Sequence, residues 1–265
     1  MSMKRTVNIP YKIFKESSAY RFLKSIQWLR NSKLAFDKLL SKLLPSKKFL
    51  HDDKILQHAF VRAGKILSCS SVIETGTFLG MSTGYMALQF SSTPIFTSEI
   101  NPESFAKAKK KLGRFPNVHC FHGGSDKFLT YLYDKNLPGE RPLFYLDAHW
   151  LNEWPLEDEV RIISNRSKSA IMIIDDFKVP GNPNFKYDRY GDKECSIDLI
   201  APHLSKQRTY QILFPNYKAE DIFPDEVNPP ELSGYVIIFM DLPDLFNKFM
   251  SDVTVSKFFY LHPKK

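Results

Sequence analysis

Cysteine is scarce: three in 265 residues, Cys69, Cys120 and Cys195, scattered and odd in number. Neither a disulfide framework nor a metal-ligand spacing is visible, so a reducing, cytoplasmic setting is expected. No apolar run reaches about 18 residues, and the opening MSMKRTVNIPYK lacks the apolar core of a secretory signal. No transmembrane helix and no signal peptide are therefore expected. Glycine-rich phosphate loops are missing too: there is no G-x-G-x-x-G and no G-K-[ST], the patterns that cradle a pyrophosphate or a nucleoside triphosphate. Internal repeats and low-complexity segments are absent as well. What remains is an ordinary globular composition, 43% hydrophobic and 25% charged, long enough for one large α/β domain or a domain with an accessory segment.

Acidic residues are few at one end only. The first 60 residues carry 13 Lys and Arg against 4 Asp and Glu, whereas the other 205 sum to about −1 out of the chain's net +8. The basic character is local, which argues against a nucleic-acid binder as a whole. Within this end, residues 11–67 read as helical. Phe22, Ile26 and Leu29, then Phe36, Leu40 and Leu43, recur at i, i+4 and i+7. Pro45 interrupts the pattern before a second run from about Asp52 to Leu67, with Asp52 or Asp53 as its cap. These helices either cover a cleft, pair between subunits as in a homodimer, or lie on an anionic membrane surface.

From residue 71 the pattern alternates between strand and helix. Strands are predicted at 71–76, 95–100, 118–123, 143–149, 170–177, 209–215 and 234–240, with helices near 81–90, from Pro102, and near 125–135, 156–165 and 192–204. Such alternation predicts a doubly wound, mostly parallel sheet with helices on both faces. The expected division is an N-terminal basic helical segment (1–67), the sheet domain (68–245) and a C-terminal tail (246–265). Ligands of such sheets bind beyond the carboxyl ends of the strands. Those ends are Glu74-Thr75-Gly76, Glu99, Gly123-Gly124-Ser125, Asp147-Ala148-His149 and Asp175-Asp176, and four of the five carry carboxylates.

The first turn, ETGTFLGMST (74–83), places Gly76 and Gly80 four apart, and Glu99 closes the next strand 19 residues after Gly80. Glycine permits a tight turn and close approach of a ligand, and a carboxylate at that second strand end can accept both hydroxyls of a ribose. Without a pyrophosphate loop, the pattern favours a nucleoside such as S-adenosylmethionine. The blander reading, a plain turn and a helix-start carboxylate, accounts for each feature alone but not for their shared register.

With VIETGTFLGMS, SEINPE, GGSD, LDAHW and IIDDFKVPGNPNF in this order, residues 52–240 resemble class I S-adenosylmethionine-dependent methyltransferases, in particular the metal-dependent catechol O-methyltransferase group. The resemblance implies a seven-stranded sheet whose last strand is antiparallel. It implies that Glu74, Gly76, Phe78, Gly80 and Ser82 line the methionine end of the cofactor. Glu99 would hold the ribose, and Ser125, Asp126, His149 and Trp150 would surround the adenine, with Asp147 nearby. It further implies that Asp147, Asp175 and Asp176 bind Mg²⁺. The residues agree independently: three carboxylates gathered in one cleft repel, and a hard divalent ion, Mg²⁺ or Mn²⁺, relieves that repulsion. Both adjacent aspartates converge only if the strand has already ended, since successive strand residues face opposite ways.

The sequence departs from the group in one place. Leu151 stands where catechol methyltransferases carry their lysine base after the H-W pair. Lys178, His149, Asp176 or a water on the ion are left as candidates for the base, with Asp147 as the catalytic anchor. Tyr187, Arg189 and Tyr190 are candidate acceptor contacts. The expected function is a cytoplasmic, Mg²⁺-assisted O-methyltransferase acting on a hydroxyl of a small molecule, sugar or natural product. Two alternatives stand beside it: a metal-independent methyltransferase for a macromolecule, against which the missing N-P-P-Y tetrapeptide counts, and a non-catalytic cofactor-binding scaffold.

Overall fold

The computed structural model describes residues 49–148 and 154–263. The basic helices expected before residue 49, and His149, Trp150 and Leu151, lie outside the described residues.

Helix α1 (Lys54–Leu67) opens the architecture. Its Leu56, Phe60, Ala63 and Leu67 recur on one face and are buried. Asp53 is the cap: its carboxylate accepts the N–H groups of Ile55 at 2.8 Å and Leu56 at 2.9 Å. Asp52 instead receives the Lys54 ammonium at 2.7 Å. Then follow β1 (Ser71–Thr75), α2 (Met81–Gln89), β2 (Ile95–Glu99), α3 (Pro102–Leu112), β3 (Val118–His122), α4 (Ser125–Asp134), β4 (Pro142–Leu146), α5 (Leu156–Arg166) and β5 (Ala170–Ile174). Asn101 caps α3 through the N–H groups of Glu103 and Ser104, with Pro102 as the first helical residue. The chain ends with β6 (Tyr210–Pro215), β7 (Val236–Met240), α6 (Pro243–Met250), α7 (Val253–Phe258) and β8 (Phe259–Leu261).

The sheet has the order β8-β6-β7-β5-β4-β1-β2-β3. β1 to β5 run parallel, β7 is antiparallel to both β5 and β6, and β8 is antiparallel to β6. The doubly wound, mostly parallel sheet is as the sequence predicts, with eight strands where seven were expected. The additional strand, β8, lies in the segment expected as a C-terminal tail. Residues 54–67, expected as part of the N-terminal segment, pack as α1 on β4 and β5 and against α6 and α7. The helix expected near 192–204 shortens to Ile197–Ile200 and a 3₁₀ turn at Ala201–His203. Its first residues are drawn off into loop pairing: Lys193–Glu194 pairs with Arg189–Tyr190, and the buried Cys195 bonds through its backbone to Lys178 and Asp188.

The chain leaves β1 toward β2 and β3, then returns to β4 on the other side. The β1–β4 seam is thus the topological switch point, and its carboxyl end is where such sheets bind ligands. All five residues of β1, β2, β4 and β5 are buried, as strands covered on both faces require. Phe60 of α1 stands edge-on to Tyr145 of β4, with ring centroids 6.0 Å apart. That contact fixes the Tyr145 ring over the carboxyl end of the neighbouring β5.

One buried charge in the helical layer is unmet. Glu159 on α5 has no exposed surface, and neither oxygen has a hydrogen-bond partner among the described residues. Burial pushes its carboxyl up to about 7, a rise that the nearby Ser125 and Thr75 hydroxyls moderate. The folded chain therefore holds this proton more tightly than the unfolded chain, and the group's contribution falls as pH rises from about 4.5 through about 7. Glu159→Gln is expected to raise the unfolding free energy near pH 8 by about 1–3 kcal/mol and to gain nothing below about pH 5. Urea unfolding at the two pH values checks this, and an equal effect at both would refute it.

Candidate functional site

Across the carboxyl edge of the sheet, the ends of β2, β1, β4 and β5 stand in that order. Three strand spacings, about 14 Å, separate the first from the last.

The β1 end is bound tightly to the β2 end. The N–H groups of Gly76 and Thr77 both donate to the Ser98 carbonyl, at 3.0 and 2.9 Å. The Phe78 N–H donates to one Glu99 oxygen at 2.7 Å, and the Asn101 N–H donates to the other at 2.8 Å. Glu99 is thereby held at its strand end by backbone donors, and each oxygen keeps lone pairs for further hydroxyl donors. Beside it stand two exposed apolar side chains, Phe78 and Ile100, with 61% and 54% of their surface open. Phe78 holds its position with a left-handed backbone, φ 46°. Ile100, directly after Glu99, was missed by the sequence reading; its signal was an apolar residue next to a strand-end carboxylate.

Gly76 is required for a reason other than ligand approach. Its φ is 83°, and a Cβ there would sit 2.0 Å from the Asp147 carbonyl oxygen. The close neighbour is the β4 end. At Gly80, φ is 70° and a Cβ would press on Leu112 of α3. Ser82 at the start of α2 accepts the Leu50 N–H at 3.3 Å and so supports the turn that precedes α1. Ser125 and Asp126 open α4. Glu74 departs from the role the resemblance implies. It is buried inside the sheet, and one of its oxygens takes both the Thr83 and Thr97 hydroxyls. Burial pushes its carboxyl up to about 7, against those two hydrogen bonds. Those bonds tie it to α2 and β2.

At the far end, β5 stops at Ile174, and Asp176 adopts φ 47°. The left-handed step breaks the strand alternation, so the two aspartates serve one place. Asp175 is fully buried and receives the Tyr145 hydroxyl and the His51 Nε2, the latter at 2.7 Å. Ser233 donates to Asp176. One ligand atom from each of His51, Asp175 and Asp176 lies within 4.8 Å of the others. Asp147 lies outside that group. His51 takes the third place and was missed, because nothing in its local sequence ties it to residues more than a hundred positions away.

His51 sits in a strained turn. Leu50, His51 and Asp52 have φ of 48°, 54° and 57°, three consecutive left-handed residues without a glycine. Each such residue costs about 1 kcal/mol or more, so the surroundings must hold it. Leu50 is buried, the Asp52 and Asp53 N–H groups close on Phe49 and Leu50 at 3.0 Å, and α1 follows at once.

The electrostatics follow from crowding. Burial alone would raise Asp175, but the His51 charge and hydrogen bonds from His51, Tyr145 and the Asp176 N–H outweigh it and hold the carboxyl below its usual range. The same Asp175 charge pushes His51 up to about 10, against its own desolvation. Asp176 rises to about 6 through burial and then Asp175, and Asp147 is held well above its usual range through desolvation and then repulsion from both. The carboxylates repel as the sequence predicted, and an imidazolium relieves only one of them. Lys178 is drawn elsewhere. Its ammonium pairs with Glu194, which raises its pKa, and lies 5.3 Å from the Tyr187 ring centre. A general base needs the opposite shift.

Two substitutions separate support from chemistry. Gly76→Ala is expected to cost about 2–4 kcal/mol in urea unfolding, because the β1 and β4 ends must part. Tyr145→Phe is expected to cost about 1–2 kcal/mol, from the lost donor on a buried carboxylate. A Gly76→Ala protein as stable as the parent would contradict the seam geometry.

No protein-family model matches the sequence, and no curated protein matches it. Solved structures do match. An O-methyltransferase from Bacillus cereus, in complex with S-adenosylhomocysteine, is 16% identical with a TM-score of 0.53, over 82% of this chain and 96% of that one. A candidate O-methyltransferase from Klebsiella pneumoniae is 18% identical with a TM-score of 0.52, over the same shares, 82% and 96%. The chain has the Rossmann-like fold of S-adenosylmethionine-dependent O-methyltransferases.

Proposed function

We propose that this protein is an S-adenosylmethionine-dependent O-methyltransferase for a small hydroxylated acceptor. The carrying observation is the layout of one sheet edge: a nucleoside cradle at β1–β2 and a His51–Asp175–Asp176 cluster two strands beyond, on either side of the switch point. Glu99, fixed by two backbone donors, would accept the ribose hydroxyls. Phe78 and Ile100 would cover the apolar faces of the nucleoside, with Ser125 and Asp126 at its base. When bound, the cofactor supplies an electrophilic sulfonium methyl group.

The cluster also suits a divalent ion. Three donors mutually within 4.8 Å are close to the spread that bonds of about 2.0–2.2 Å demand. An imidazole beside two carboxylates favours Mn²⁺ over Mg²⁺ relative to an all-oxygen set. Such an ion lowers the pKa of a hydroxyl that reaches it. Tyr145 fixes Asp175, Ser233 fixes Asp176, and the turn at residues 50–52 fixes His51. Asp176 is the residue placed to take the proton the hydroxyl loses, because it borders the cavity open to an acceptor. Asp175 holds His51 protonated in the absence of an ion, and as a ligand His51 would give up that proton. Asp147, between cradle and cluster, separates the two ends. None of the three cysteines forms a disulfide, which suits the cytoplasm, and no helix among the described residues is long and apolar enough to cross a membrane.

Calorimetry with S-adenosylmethionine tests the cradle: Glu99→Ala is expected to weaken binding by about 10- to 100-fold. Titration of Mn²⁺ followed by electron paramagnetic resonance tests the cluster: Asp175→Asn is expected to abolish binding and His51→Ala to weaken it. Methyl transfer should fail in Asp176→Asn while cofactor affinity is kept. Parent protein that does not bind S-adenosylmethionine sinks the proposal. Transfer that survives chelation removes the ion from it.

A further inference from the structure

Beside the cluster opens a cavity of about 280 Å³. His51 and Asp176 are part of its lining, so whatever occupies it can reach the pair. Its outer wall is built by a short parallel pairing of Phe185–Lys186 with Leu232–Ser233. Phe185 and Leu232 are buried, while Lys186 and Ser233 are left for the cavity. The loop is tied to the strand end, since the Asp188 N–H donates to the Asp176 carbonyl at 2.9 Å.

Most of the lining residues are polar, and their polar atoms share the surface about equally with their apolar atoms. Asp176, Asp188 and Glu231 bring acceptors, and Ser233, the Tyr187 hydroxyl and the Lys186 ammonium bring donors. Lys186 is paired with Glu231, Tyr187 donates to Glu194 at 3.0 Å, and Ser233 donates to Asp176. Apart from the Tyr187 ring, Leu232 is the one apolar side chain in the wall. A planar phenol entering here would strip water from carboxylates and leave them unpaired, at a cost of about 1–3 kcal/mol each. A ring bearing several hydroxyls, each both donor and acceptor, would replace that water group for group. The volume sits below the range of about 300–1,000 Å³ typical for larger ligands, which suits one small ring.

Resting on the methyl-transfer reading above, we propose that this cavity receives a polyhydroxylated acceptor of monosaccharide size and presents one of its hydroxyls to His51 and Asp176. In the transfer, that oxygen forms a bond to the methyl carbon as the carbon–sulfur bond breaks, the sulfur keeps the bonding pair, and Asp176 takes the proton. Glu231 and Asp188, which also line the cavity, select the acceptor, and neither belongs to the cofactor cradle.

The test uses the full chain. Binding of S-adenosylmethionine is measured first by calorimetry. Protein saturated with S-adenosylhomocysteine is then titrated with methyl glucoside, methyl galactoside, methyl mannoside and methyl rhamnoside, and with catechol, followed by saturation-transfer NMR. At least one glycoside is expected to bind about tenfold or more tightly than catechol. Asp188→Asn and Glu231→Gln are expected to weaken that glycoside by about 5- to 20-fold with cofactor affinity unchanged. Cofactor binding with catechol preferred, or with no glycoside bound, overturns the acceptor assignment and leaves the methyltransferase reading standing. No cofactor binding overturns both.

Discussion

A carboxylate at the end of an apolar strand, with no surface open to water, is costly unless its charge is met, and Asp175 is that group. The site is organised around meeting it. Tyr145 reaches it from the neighbouring strand, and the Tyr145 ring is held by Phe60 of α1. His51 reaches it from the turn just before α1. One buried charge thus joins β4, β5 and the helix that lies on them. It also explains why the turn keeps three left-handed residues: the strain at residues 50–52 is held against an ion pair whose carboxylate is buried and whose imidazole is partly open to water.

The pairing leaves a residue of negative charge. His51 neutralises Asp175, but Asp176 and Asp147 stay raised by repulsion and burial. An edge of the sheet that cannot fully satisfy its own carboxylates is one that a cation, or a group able to donate hydrogen bonds, would stabilise. The polar cavity opens at this edge. The cradle at β1–β2 is satisfied in the opposite sense, with Glu99 taken up by backbone donors and apolar side chains left bare. The two ends of the edge therefore differ in chemistry, with bare apolar side chains at one and incompletely satisfied carboxylates at the other.

Much of the site was readable from residue type and position. Glu99 stood out because it is a carboxylate at the second strand end of such a sheet, and Asn101-Pro102 marked the helix start that the structure has beside it. Asp175 and Asp176 were found because charge after an apolar run needs a cause, and the required end of the strand is present at Ile174. Gly76 was identified correctly as special, but for a ligand rather than for the Asp147 carbonyl that crowds it. Glu74 and Lys178 show the limit of carrying roles by motif position. Glu74 is bonded to threonines on two other elements, and Lys178 is bonded to a glutamate sixteen residues on. Thr83 stands in the same turn motif as Glu74, but Thr97 and Glu194 lie on other elements.

By itself the sequence determined the alternation of strand and helix, the sheet class and the carboxylates at the strand ends. These follow from local periodicity and from the rule that strand ends face one edge. Only the tertiary structure decided that His51 comes together with the paired aspartates, that a late strand at Phe259–Leu261 extends the sheet, and that mostly polar residues line the cavity. Those outcomes depend on contacts between distant segments, set by packing and by the cost of leaving a buried charge alone, and no local pattern of residues encodes them.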